Sequence, residues 1–198
     1  GILTGYDPGV LTKTYSNITG TSQKVTKVYD GTTSTSSSTF GNVAVTSANG
    51  LSNNINVALS NKTYTYGSKN SGNSNVVRAD SAYTITSASH SRHGNVYGLA
   101  ASSTAKTINN AQISQKPVSL TGTRNYDGTT IVSSKDLTVG NFVGKETLTL
   151  SGTGSLSSAN TQSNSSLAST ARLSLANGSN GGVASNYTLI GGQHKVTV

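Results

Sequence analysis

Groups capable of acid–base or metal chemistry are scarce: the 198 residues include three His, six Asp or Glu and no Cys. Catalysis by proton transfer needs a base held beside a nucleophile. The densest candidate is His90-Ser91-Arg92-His93, whose two imidazoles could bind a metal weakly. The nearest acid, Asp80, stands well upstream, and the segment reads as a solvated loop. Hydroxyls beside His90 carry no weight in a chain so rich in Ser and Thr. Asp80, Asp136 and Glu146 stand apart from one another, so the spacing supports neither paired-carboxylate glycosidase chemistry nor a calcium loop. No glycine-rich phosphate loop of the Walker or dinucleotide type occurs, and the lack of Cys removes thiol nucleophiles, disulfides and Cys-ligated zinc. These residues predict a non-enzymatic chain with no cofactor and no metal.

Binding chemistry has two possible sources. Tyr64, Tyr66, Tyr83 and Tyr97 could stack on sugar rings, as in a carbohydrate-binding module, or else pack in a core or pair across strands. Fourteen Lys and Arg against six acids give a net charge of +8. The basic residues are scattered singly from Lys13 to Lys195 among Ser, Thr, Asn and Gly rather than stacking aromatics. That distribution predicts no nucleic-acid partner and suits weak attraction to an anionic polysaccharide or a cell surface. No run approaches the roughly 20 apolar residues that span a bilayer, so membrane insertion by a helix is not expected. Five Asn-x-Ser/Thr sequons begin at Asn17, Asn61, Asn164, Asn177 and Asn186, a number that composition alone can produce. An initial Gly, with no Met or Trp anywhere, suggests a piece excised from a longer polypeptide.

The elements that must position such residues are strands. Short alternating runs recur, among them Val57-Ala58-Leu59, Leu137-Thr138-Val139, Thr147-Leu148-Thr149-Leu150, Leu173-Ser174-Leu175 and Val196-Thr197-Val198. Period two with Thr and Val enrichment is the strand signature, and no segment carries a helical period. Clusters such as 68–75 and 177–182 read as loops. The expected fold is all-β, as two tandem antiparallel β-sandwich (Ig-like) modules, with a β-grasp-like arrangement as the alternative. The boundary falls in a short linker near 109–116, giving modules 1–112 and 113–198. A hydrophobic content of 32% suits two thin cores better than one thick one.

What divides the chain in this way is a duplicated pentapeptide, Tyr29-Asp30-Gly31-Thr32-Thr33 and Tyr126-Asp127-Gly128-Thr129-Thr130. Each copy follows a basic residue two places earlier, Lys27 and Arg124. The spacing is about one domain length, longer than solenoid or propeller units. Asp-Gly favours a tight turn, because Gly accepts positive φ and the carboxylate can bond nearby amides. Tyr29 and Tyr126 are expected as equivalent interior anchors, each in its own module beside a matched hairpin bend, with the Thr pair resuming a strand.

With these residues in view, the chain resembles the YDG domain of large bacterial surface proteins of the filamentous-haemagglutinin and two-partner-secretion type. The second half carries the resemblance from Lys116-Pro117-Val118-Ser119-Leu120 through Tyr126-Asp127-Gly128 and Glu146-Thr147-Leu148 to Asn186-Tyr187-Thr188-Leu189-Ile190-Gly191-Gly192. The first half departs from it at Asn95-Val96-Tyr97 and at Tyr64-Thr65-Tyr66-Gly67. The resemblance implies stalk or spacer repeats, flanked by further repeats, in a secreted adhesin or biofilm-matrix protein at the surface of a Gram-negative bacterium. The parent protein would bind host cell-surface glycan or matrix polysaccharide. Direct glycan recognition by the first module is the alternative.

Overall fold

The computed structural model describes residues 14–15, 17–19, 25–40, 44–46, 55–59, 64–79, 85–90, 94–95, 100–101 and 107–198. Asp80, Tyr83, His93 and Tyr97 lie outside them. Two compact units emerge: Gly1–Lys27 with Thr33–Ile113, and Val28–Thr32 with Ser114–Val198. Five residues of the first sequence repeat, Tyr29 among them, thus belong to the second unit.

The first unit contains β1 (Thr14–Tyr15), β2 (Asn17–Thr19), β3 (Val25–Val28), β4 (Thr39–Phe40), β5 (Ala44–Thr46), β6 (Ile55–Leu59), β7 (Tyr64–Tyr66), β8 (Gly72–Ala79), β9 (Ile85–His90), β10 (Gly94–Asn95), β11 (Ala100–Ala101) and β12 (Thr107–Ser114). Five of these form one sheet in the order β4-β3-β12-β8-β7, and three form another, β10-β9-β6. Period-two burial is plain on β7, where Tyr64 and Tyr66 point inward and Thr65 outward. It recurs on β3, where Val25 and Lys27 are buried. The buried ammonium of Lys27 donates to the Ser34 carbonyl at 2.6 Å and lies 4.9 Å from the centre of the Tyr66 ring, which offsets its loss of water.

The second unit contains β13 (Lys116–Pro117), β14 (Ser119–Thr123), β15 (Ile131–Ser133), β16 (Leu137–Gly140), β17 (Leu148–Ser155), β18 (Ser165–Ser166), β19 (Leu173–Asn177), β20 (Tyr187–Thr188) and β21 (His194–Thr197). Single 3-10 turns lie at Ser134–Asp136 and Ala184–Asn186. A four-stranded sheet, β16-β14-β21-β18, and a three-stranded one, β15-β17-β19, contribute to one apolar cluster. Leu120, Leu137 and Val196 enter it from the first sheet and Val132 and Leu173 from the second. Alternation along each strand sends these residues inward and the hydroxylated ones to water.

The class is all-β, as the period-two pattern requires, but four expectations need correction. Pairing is not purely antiparallel: β14 lies parallel to β21, and β13 parallel to β20. A strand run carries no mark of its neighbour's direction, which the intervening crossover sets. The segment expected as a linker is part of strand β12, paired with β8 from Thr107 to Ile113, and the expected loop 68–75 gives way to β8 at Gly72. Its Asn and Ser residues, poor strand formers in isolation, are held by cross-strand partners. Nor does the second Tyr-Asp-Gly motif turn a hairpin. It follows β14, in the four-stranded sheet, and precedes β15, in the three-stranded one, so it carries the chain from sheet to sheet.

Candidate functional site: the Tyr-Asp-Gly motif and its acceptor

Both copies of the motif fold alike within themselves. The Asp30 carboxylate accepts from the Thr32 backbone N–H at 3.0 Å and hydroxyl at 2.8 Å; Asp127 accepts from the same two groups of Thr129, both at 2.8 Å. The glycines have φ of 77° and 78°, a conformation an L side chain enters only with strain. The first Thr of each pair therefore closes an Asx turn rather than resuming a strand, and β15 begins only at Ile131. In the second copy these Thr129 hydrogen bonds hold the Asp127 carboxyl below its usual range, with help from Arg124 at 3.1 Å. Arg124 folds back over its own loop, donating to the carbonyls of Asn125 and Thr129.

Their surroundings differ completely. Tyr29 is 2% exposed and Tyr126 is 61% exposed. The two tyrosines are not equivalent anchors, and Tyr29 is not an anchor of the first unit at all. Within the second unit its hydroxyl donates to Glu146, 3.0 Å from each carboxylate oxygen, and its ring meets that of Tyr187 edge-on at 5.4 Å. The Tyr187 hydroxyl donates to the same carboxylate at 3.0 Å and accepts from the Val143 N–H at 3.1 Å. Phe142 also packs edge-on against Tyr187, at 5.5 Å. The buried Asn186 side chain also bonds the Tyr29 hydroxyl. A Tyr29 N–H to Ser114 carbonyl bond of 2.8 Å fixes the backbone, and a Cβ on Gly31 would come within 2.9 Å of Val143 Cγ1. A Cβ on Gly128 would meet nothing outside its own motif.

Electrostatics follow from this packing. Burial, then the Glu146 carboxylate, pushes the Tyr29 phenol up to about 12. Tyr187 is raised as well, chiefly by burial. Both hydroxyls are held as neutral donors to one carboxylate, which suits a structural clamp and does not produce a phenolate nucleophile.

Tyr64 and Tyr66 are buried, at 6% and 2% exposure, so neither ring offers a face to a sugar. Ser38 and the Gln112 carbonyl surround the Tyr66 hydroxyl. Tyr83 and Tyr97, the other two candidates for glycan stacking, lie outside the described residues. An open groove of about 570 Å³ lined by Pro117, Val118, Ser119, Asn141, Gly191, Gly192 and Gln193 has no aromatic ring in its wall. Among the described residues, no three His, Asp or Glu side chains gather where a metal could sit. The sequon Asn186 is 1% exposed.

The acceptor has no local signature in the sequence. Glu146 looked isolated because its partners, Tyr29 and Tyr187, are 117 and 41 residues away. A signal is present in the sequence: Glu146 and Asn186-Tyr187 both fall within the half that carries the resemblance to the YDG domain.

Comparison with curated proteins and with solved structures gives no match. One family model does match: that of the YDG domain, over residues 104–196, a stretch that holds both Glu146 and Tyr187.

Proposed function

We propose that the chain is a non-enzymatic pair of spacer repeats in a large secreted bacterial adhesin or biofilm-matrix protein. The observation that carries this reading is the use made of the motif. The carboxylate set among aromatic rings is bonded to the protein's own hydroxyls, Tyr29 and Tyr187, so the Tyr-Asp-Gly loop recognises protein rather than a substrate. The duplicated sequence supports a geometric role, since repeats in series lengthen a parent chain without adding a site. In this reading the parent is exported by two-partner secretion, as filamentous-haemagglutinin-type proteins are, and stands at the cell surface. Host glycan or matrix polysaccharide would be bound elsewhere in the parent.

Replacing this segment in the parent with an unrelated folded spacer of similar length should preserve both surface display and adhesion. Loss of adhesion with display intact would refute the spacer reading. Retention of polysaccharide by the isolated 198-residue chain would favour direct glycan recognition instead.

A further inference from the structure

We infer that the Tyr126-Asp127-Gly128 loop is a docking element whose occupant is the acceptor cluster of a further YDG module lying C-terminal to this one. The inference rests on the spacer reading and gives it a mechanism of connection. Its precedent is inside the molecule: the first copy of the same loop is inserted in the second unit, against Glu146, Tyr187 and Val143. The second copy has the same Asx bonds and the same glycine φ, yet its tyrosine is 61% exposed. A loop already in the bound shape loses little conformational freedom on docking.

Strand register specifies where the partner would attach. Along the parallel pair β14 and β21, the Leu120 N–H bonds the Gln193 carbonyl and the Arg124 N–H bonds the Thr197 carbonyl, each at 3.0 Å. The two strands advance in step, so the Tyr126 N–H falls opposite a residue immediately following Val198. In the first copy that N–H, on Tyr29, bonds Ser114, which opens the body of the second unit. Val198 is therefore the counterpart of Ile113, and an acceptor module grafted directly after Val198 and starting at Ser114 would meet the loop in register.

The test uses the full chain and the same chain extended by a second copy of residues 114–198, with Tyr126→Phe in the added copy. Nitration of Tyr126 by tetranitromethane is followed by peptide mass spectrometry, with buried Tyr29 as the internal standard. Tyr126 should react readily in the 198-residue chain and about tenfold or more slowly in the extended one, approaching Tyr29. Glu146→Ala with Tyr187→Ala in the added copy should restore its reactivity. An unchanged Tyr126 rate overturns the inference, whether the added copy folds or not, because that copy carries the whole Ser114–Val198 body of the second unit and the Tyr126 loop stands where Val28–Thr32 stands in it. Such a result leaves the spacer reading intact, with modules joined by independent linkers.

Discussion

The unequal fates of two identical motifs make a stringent comparison of Tyr29→Ala with Tyr126→Ala in the same 198-residue chain. Truncating Tyr29 removes a ring that is 98% buried, its edge contact with Tyr187 and its hydrogen bond to Glu146. Replacing a buried aromatic ring by Ala costs about 3–5 kcal/mol, through lost burial and the cavity left behind. Glu146 retains the Tyr187 hydroxyl, which limits the additional penalty of an orphaned carboxylate. Tyr126→Ala, at an exposed position, should cost about 0.5 kcal/mol or less. Hydrogen exchange read on peptides from β14 and β21 isolates the second unit from events in the first. Tyr29→Ala should accelerate the slowest of these amides about a hundredfold to several thousandfold, at roughly tenfold per 1.4 kcal/mol. The same peptides in Tyr126→Ala should exchange at the parent rate. Equal effects of the two substitutions, or an effect of Tyr29→Ala confined to peptides of the first unit, would refute the assignment of the first motif to the second unit.

The glycines give a parallel contrast. Gly31→Ala and Gly128→Ala each place a Cβ at positive φ, a strain of about 1–2 kcal/mol. Only Gly31→Ala also presses on Val143, so it should lower the melting temperature of the second unit further than Gly128→Ala does; equal shifts would contradict the packing. Alkaline pH supplies the third prediction. The Tyr29 phenol is raised from 10.0 to about 12, so the folded state retains a proton the unfolded chain loses. Stability is full below pH 10, and up to about 2–3 kcal/mol is lost as pH rises from 10 to 12. Tyr29→Phe should flatten that slope. Glu146→Gln, which removes the charge raising both phenols, should move the tyrosinate absorbance transition to lower pH. An unchanged transition in Glu146→Gln would exclude the carboxylate as a cause.

Much of this protein is decided by residues close in sequence. Alternating Val, Leu and Thr make strands whatever lies opposite, because side chains on successive residues point to opposite faces. Asp and Gly two and one places before Thr32 or Thr129 make the Asx turn, because every bond in it spans two residues. Three features were beyond that reach. Strand direction depends on crossovers that carry no period of their own, hence the parallel pair β14 and β21. The polar residues of β8 and β12 form strands because each is paired on both sides, β8 between β12 and β7 and β12 between β3 and β8. Most telling, two identical pentapeptides have opposite burial. Their local shape is fixed by bonds within the loop, but the fate of each tyrosine rests on a carboxylate and a ring supplied from far along the chain. Only the tertiary fold brings Glu146 and Tyr187 to Tyr29, and it leaves the ring of Tyr126 in water.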